Sequence, residues 1–137
     1  MSVITEALYD TLSADVTLTS LLSTYESEPA IFTTDPAPGD ATLPYIVTAG
    51  EAVQTGFDTK TTRGRELWRD VRCYAAANGS AVTVEAIAER VRTLLHRQAV
   101  VIDGFIWLLG DCNGPIVADE MDAYGRIVTV RFIIEEL

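Results

Sequence analysis

Three kinds of side chain in this sequence could carry chemistry: one histidine, two cysteines and two acidic runs. His96 is the only histidine of the 137 residues, so a Ser–His or Cys–His catalytic pair would have to use it. It falls near the C-terminal end of a predicted helix, where a histidine commonly serves as a favourable charge. Cys73 and Cys112 form no disulfide framework, and with His96 they make a poor zinc ligand set. We therefore predict no metal or cofactor site from these residues.

The acidic runs also lack the spacing that binding would need. Asp119–Asp122 has neither the alternating ligands nor the central glycine of a calcium loop. Asp111–Gly114 begins like such a loop, but Pro115 stands at the next ligand position. No glycine-rich phosphate loop and no recognisable carboxylate pair is present in the sequence. The sequence thus predicts a protein that is not an enzyme.

Composition places the chain among ordinary folded domains. With 137 residues and 48% hydrophobic residues, it is long enough for one domain over residues 1–137 and too apolar for a disordered chain. The formal net charge of −10 argues against a nucleic-acid grip, which needs clustered Lys and Arg. No apolar stretch approaches the roughly 18 residues of a membrane span, and the N-terminus does not resemble a signal peptide. We expect no membrane partner and a reduced, cytoplasmic site of synthesis.

The charge is unevenly spread along the chain. Residues 1–62 carry nine acids and one base, Lys60, whereas residues 63–137 carry nine arginines and eleven acids. The first half therefore holds most of the acidic surplus. A solvated acidic surface that aids solubility is the simplest interpretation.

Periodicity and turn residues predict the elements of the first half. Apolar residues at helical spacing favour a helix from Val3 to Leu12, and Asp15 would cap a second helical turn. Prolines break Glu26–Pro44 into an irregular segment with one short edge strand at Ala30–Thr34. The next predicted elements are a strand at Tyr45–Val53, a long mobile connection at Gln54–Gly64 and a strand at Glu66–Ala76.

The second half begins with the clearest helix. Ser80 would cap a helix over Ala81–Gln98, whose apolar residues form one stripe. The remaining predicted elements are a hairpin of Val100–Ile102 and Phe105–Leu109 around Asp103-Gly104, a turn at Asn113–Pro115, and strands at Ile116–Ala118 and Ile127–Glu135. This order predicts an α+β fold: a mainly antiparallel β-sheet with two amphipathic helices packed on one face.

Several segments, in order, resemble one known family over nearly the full length. The segments are Ala7-Leu8-Tyr9 with Leu12-Ser13-Ala14-Asp15, Leu43-Pro44-Tyr45-Ile46-Val47, Val71-Arg72-Cys73-Tyr74-Ala75, and Tyr124-Gly125-Arg126 with Val128-Thr129-Val130-Arg131-Phe132. Together they resemble the tail terminator, or tail-completion, proteins of long-tailed bacteriophages and gene transfer agents. Cys73 departs from the valine-like residue common there, and the chain is more acidic than is usual in the family.

The resemblance implies a structural virion protein at the head-proximal end of the tail. It would form a homohexameric ring that caps the tail tube, ends its polymerisation and joins it to the head-side connector. Its partners would be other copies of itself, the tail tube protein and the head–tail connector protein. DNA would pass through the lumen without specific binding, and part of the acidic surplus would line that lumen.

We expect the ring or tube contacts to come from aromatic and basic residues around the middle strand. The candidates are Phe57, Lys60, Arg63, Arg65, Trp68, Arg72 and Tyr74. For the aromatic residues on the strand, ordinary core packing is an equally good interpretation. Two other functions remain open: a small cytosolic protein-binding adaptor, and a neighbouring head–tail connector protein that also forms rings.

Overall fold

The structure, a computed structural model, describes residues 2–34, 36–48, 51–120 and 122–137. Its helices are α1 (Ser2–Ser13), α2 (Val16–Thr19) and α3 (Val82–Leu95). The Asp15 carboxylate accepts a hydrogen bond from the Leu18 amide at 2.8 Å and so caps α2, as predicted. None of these helices is long and apolar enough to cross a membrane, within the described part of the chain.

The strands form a small sheet and a large one. β1 (Thr24–Tyr25) and β2 (Glu28–Pro29) pair with each other. The large sheet contains β3 (Ile31–Phe32), β4 (Tyr45–Val47), β5 (Glu51–Gly56), β6 (Gly64–Ala76), β7 (Phe105–Val117) and β8 (Ala123–Glu136). Its order is β3-β4-β6-β8-β7, and β5 pairs with β6 further along the same side as β4. Among the strands of the described residues, only β3 and β4 pair in parallel.

The helices cover one face of this sheet, which we call the inner face. On β6 and β8 every second residue points inward, and Leu67, Val71, Val130 and Phe132 are fully buried there. They pack in one core with the apolar stripes of α1 and α3, because a pleated strand and an amphipathic helix each present one apolar side. The α+β fold predicted from the sequence is therefore confirmed.

One charged residue lies within this core. Arg69 of β6 is fully buried, and its guanidinium donates to Thr48 Oγ1 at 3.0 Å and to the Thr48 carbonyl at 2.9 Å. It also donates to Thr5 Oγ1 of α1 at 3.1 Å. These bonds tie α1 and the residue that follows β4 to the middle strand, because a buried guanidinium must keep its donors satisfied.

The other face, which we call the outer face, is covered at one end only. The proline-rich segment folds over that end, where Ala37 and Leu43 pack against a small apolar cluster. The rings of Tyr25, Phe32, Tyr45 and Tyr74 follow one another edge to face, with centroids 5.3 to 5.6 Å apart. The rest of the outer face carries no second layer among the described residues.

Two predictions for the first half need correction. The strand expected at Tyr45–Val53 is two strands, since β4 ends at Val47 and β5 begins at Glu51; residues 49 and 50 lie outside the described residues. The connection expected at Gln54–Gly64 is also shorter. Residues 54–56 pair with β6, and Gly64 already belongs to β6, because the two antiparallel strands continue as a hairpin beyond the apolar residues that marked them.

The predicted hairpin in the second half is wrong. Val100 and Ile102 are buried in the core as part of a loop, and the Phe105 amide closes a turn onto the Ile102 carbonyl at 3.1 Å. The turn predicted at Asn113–Pro115 lies inside β7, where a register shift accommodates the extra residues. Glycine and proline occur in both β-bulges and turns, so the residue types alone do not distinguish the two.

The boundaries of α3 also differ from the prediction. Its N-cap is Ala81, and the Ser80 hydroxyl instead accepts from the Val82 amide at 3.4 Å. The helix ends at Leu95 rather than at Gln98. The helix is shorter at its C-terminal end because the next residues are used to bind β7, as described below.

Candidate functional site

The histidine and its neighbours hold α3 against the edge of the sheet. His96 Nδ1 accepts a hydrogen bond from the Cys112 amide at 3.0 Å. Arg92 Nη1 donates to the carbonyls of Cys112 at 2.7 Å and of Gly114 at 3.0 Å, and the Arg97 amide donates to the Gly110 carbonyl at 3.0 Å. These three residues have a structural role, because their hydrogen bonds satisfy backbone groups of β7 that would otherwise lack a partner.

The two cysteines are buried thiols. Burial raises the pKa of Cys73 to about 12. Burial likewise raises the pKa of Cys112 to about 11, with the nearby Arg92 acting in the opposite direction. Because the thiolate is the reactive form, both groups are inert at neutral pH and behave as small apolar side chains.

The acidic runs form local structural bonds. Asp119 Oδ1 accepts from the Gly125 amide at 3.0 Å and from Arg126 at 3.1 Å, and Glu120 accepts from the Tyr74 hydroxyl at 3.2 Å. Met121 lies outside the described residues. Within the described ranges, no group of three or more His, Cys, Asp or Glu side chains could hold a metal ion.

Three of the predicted contact residues lie together at the tip of the β5–β6 hairpin, residues 57–63, which we call the tip loop. The Phe57 amide donates to the Gly64 carbonyl at 2.9 Å, and the Thr59 amide to the Thr62 carbonyl at 2.9 Å. The loop is therefore closed by hydrogen bonds between its own backbone groups. Phe57, Lys60 and Arg63 all present exposed side chains.

Arg65 and Trp68 follow on β6 but point to opposite faces. The Arg65 guanidinium lies 5.5 Å from the centre of the Phe105 ring and 3.7 Å from the Glu136 carboxylate. Trp68 is half-buried on the outer face, where the Arg131 guanidinium stands 5.9 Å from its ring centre. These two candidates therefore cannot contribute to one contact patch on a single face.

Arg72 and Tyr74 lie at the covered end of the outer face. Tyr74 is only 8% exposed, and its ring packs on Tyr45. Burial raises the pKa of its hydroxyl, and a hydrogen bond from Arg72 opposes that shift. Tyr74 therefore packs as an ordinary core residue, whereas part of the Trp68 side chain remains accessible to solvent.

Sequence reasoning missed the exposed apolar side chains of β7. Five large apolar side chains of β7 are 43% to 66% exposed: Ile106, Leu108, Leu109, Ile116 and Val117. We call them the β7 strip. No other strand of the described ranges pairs with the outer edge of β7. The signal is present in Phe105–Leu109, an apolar run without alternation, which the residue pattern predicts only as one strand of a hairpin.

The described residues thus form a helix-covered sheet whose strand β7 exposes large apolar side chains, a surface of the kind found at contacts between proteins. Solved structures share this fold. A chain of the virion of a native gene transfer agent particle matches with a TM-score of 0.80 and 18% identity, covering 96% of this chain and 94% of that one.

The gp17 protein of bacteriophage SPP1 has the same fold, with a TM-score of 0.58 and 19% identity over 96% of this chain and 88% of that chain. No curated protein matches. The family comparison is decisive, since residues 6–135 match the family described as tail completion protein gp17. The chain belongs to the tail completion protein gp17 family, a family of structural proteins of the virion tail, and the resemblance seen in the sequence is confirmed.

Proposed function

We propose that the protein forms a homohexameric ring that caps the tail tube at its head-proximal end. The ring ends tube polymerisation and joins the tube to the head-side connector. The observation that carries this proposal is the β7 strip, because a monomeric protein rarely leaves so many large apolar side chains of one strand exposed. Membership of the tail-completion family supports the position of such a ring in the particle.

The predicted contact residues divide between two tasks in this proposal. The tip loop, with Phe57, Lys60 and Arg63, projects from the end of the sheet and reaches another protein chain. The uncovered part of the outer face, with Trp68 at its centre, offers a half-polar aromatic surface of the kind that protein contacts use. Arg65 and Arg72 support these surfaces from within the same strand.

The excess of acidic residues suits a ring through whose lumen DNA passes. Six copies at −10 each carry a formal charge of −60. Carboxylates that line the lumen repel the phosphate backbone within a Debye length of about 8–10 Å, so DNA passes without being held. A ring whose lumen is lined by arginines, with the acids outside, contradicts this part of the proposal.

The experiment adds purified protein to polymerising tail tube protein from the same particle. We expect a native mass of six copies, rings with a lumen in negative stain, and tubes that stop growing once capped at one end. A head–tail connector ring would give the ring without stopping tube growth. A stable monomer or dimer that leaves tube length unchanged would favour an adaptor and would overturn the proposal.

A further inference from the structure

A groove lies where the end of α3 meets β7, and we call it the β7 groove. It is lined by Arg97, Trp107, Leu108, Leu109, Gly110 and Asp111. Trp107 lies across Gly110, where an added Cβ would stand 2.0 Å from the indole ring, and it packs on Phe132 with ring centroids 4.8 Å apart. Leu108 and Leu109 are 47% and 43% exposed. The groove therefore has an aromatic wall fixed by packing and apolar side chains open to solvent.

A partner does not enter this groove as an added strand. The Gly110 carbonyl already accepts from the Arg97 amide at 3.0 Å, and the Cys112 amide donates to His96 Nδ1 at 3.0 Å. A register shift just before Gly110 also interrupts the strand. Both features keep an edge strand from pairing with another chain. Whatever binds in the β7 groove must therefore bind through side chains.

The backbone of Arg97 has a conformation that arginine seldom adopts. Arg97 directly follows His96, the C-cap of α3, and its φ is 55°. Glycine is the usual residue at this position, because a side chain is strained in the left-handed region. A glycine would still donate its amide to the Gly110 carbonyl, so the fold does not need the side chain of Arg97. Backbone strain of this kind points to a function of the side chain itself.

The charge of Arg97 is not neutralised by the described residues. Its side chain is exposed and makes no ion pair or hydrogen bond with them. Asp111 lies on the same rim, but its carboxylate faces Arg131 Nη1 at 3.8 Å. Several other arginines do form ion pairs: Arg65, Arg90, Arg126 and Arg131. The β7 groove thus presents apolar side chains beside one unpaired positive charge, which fits a protein segment with a large apolar side chain next to a carboxylate.

We propose that the β7 groove binds a second copy of this chain, with Arg97 paired to a carboxylate of that copy. This inference rests on the proposed ring and names one of the two surfaces that close it. Charge argues for this occupant. Each copy carries 20 acidic against 10 basic residues, so two copies repel each other unless an unpaired base of one meets an acid of the other. A two-fold contact would set the groove against itself and bring two Arg97 side chains together, so the contact is head-to-tail, as a ring requires.

Arg97→Gly separates association from folding. Glycine accepts the positive φ, so the melting temperature of the free chain should stay near that of the wild type. The association of copies, measured by analytical ultracentrifugation, should weaken roughly tenfold or more, as for an anchor of an interface, and should lose most of its dependence on NaCl. Arg97→Lys keeps the charge and should lie closer to the wild type. Leu108→Ser should also weaken association, whereas the matched control Val16→Ser, on the exposed side of α2 and outside the groove, should not.

A photoreactive phenylalanine derivative in place of Leu108 identifies the occupant directly. After irradiation of the protein assembled with its tail tube protein, we expect a cross-link to a second copy of this chain, at a peptide outside the β7 groove. A cross-link only to the tube protein would overturn the proposed occupant, and one between two grooves would overturn the head-to-tail contact. A wild-type hexamer that Arg97→Gly and Leu108→Ser leave unchanged would overturn the groove contact while the ring stands. A wild type that stays monomeric, both free at high concentration and with the tube, contradicts both proposals.

Discussion

On β6, Leu67, Arg69 and Val71 point to the helices and are fully buried, whereas Trp68 and Asp70 between them point to the outer face and are half-buried. The inner side chains meet α1, α3 and the core. The outer ones meet polar neighbours on β8, such as Thr129, which donates to Asp70 at 2.7 Å. One strand thus contributes to two surfaces of different kinds.

The difference indicates how a small domain separates folding from assembly. The inner face supplies apolar burial, which is the largest favourable contribution to folding. The outer face is held by hydrogen bonds and ion pairs, which contribute little in the free chain because water competes for them. We therefore expect substitutions on the inner face to change stability and those on the outer face to change contacts with other chains.

The largest effect should follow truncation of the inner core. Phe132 is fully buried and packs 4.8 Å from Trp107, measured between ring centroids. Phe132→Ala should lower the free energy of unfolding by about 3–5 kcal/mol, measured by urea denaturation of the free chain. Val82→Ala, at an exposed position of α3, should change it by less than about 0.5 kcal/mol. Equal losses for the two variants would remove the distinction between core and surface.

The buried arginine should come next. Arg69→Ala removes the donors to Thr48 and Thr5 and leaves a buried carbonyl and a space, so we expect a loss of about 2–4 kcal/mol. Arg69→Met fills much of the volume without a charge and should lose less. The measurement is again urea denaturation. If Arg69→Met is as damaging as Arg69→Ala, the hydrogen bonds of the guanidinium matter more than its packing.

Much of the inner face could be predicted from the sequence. The apolar stripe of α3 and the alternation of Glu66–Ala76 both mark the side that is buried, because helix and strand have fixed periods. Arg69 lies two residues from both Leu67 and Val71, so the alternation alone puts it on the apolar face of its strand. Its burial could not be predicted, because its partners Thr5 and Thr48 are distant in sequence.

The edge of the sheet was far harder to predict. Gly104 and Gly114, each with positive φ, give the same sequence signal, yet one lies in a turn and the other in a bulge of β7. What decides between them is α3, whose end holds β7 through Arg92 and His96. This contact between the end of α3 and β7 depends on the tertiary fold, so the residues around the two glycines do not predict it.

A smaller effect is expected where α2 meets α3, outside both faces. Asp15 binds Arg90 with both oxygens at 2.8 Å, and this hydrogen-bonded pair holds the pKa of Asp15 below its usual 3.8. Because the pKa of Asp15 is lower in the folded chain than in the unfolded chain, its ionised carboxylate stabilises the fold at pH values above the unfolded pKa. This stabilisation is lost as the pH falls through the folded pKa. Asp15→Asn keeps an N-cap oxygen but loses the ion pair.

We therefore expect Asp15→Asn to lower the melting temperature modestly at pH 7, and the gap to the wild type to close as the pH falls below 3.8. Thermal unfolding of the variant and the wild type, at pH 7 and at a pH below 3.8, measures this difference in melting temperature. A gap that is unchanged at low pH would show that the capping geometry, rather than the charge, is responsible. A gap that closes would distinguish this contact from the inner core, where no such pH dependence is expected for Phe132→Ala.

The smallest effect on the free chain should come from the outer face. Arg131 Nε donates to Glu66 at 2.8 Å, and the same guanidinium stands over Trp68. In Glu66→Gln the carboxylate becomes an amide of the same shape, so the free energy of unfolding should fall by only about 0.5 kcal/mol. If Trp68 lies in a contact between chains, the dissociation of the assembled protein should change more than its unfolding. An unfolding loss as large as that of Arg69→Ala would mean that the outer face also holds the fold together, and the division of tasks between the two faces would fail.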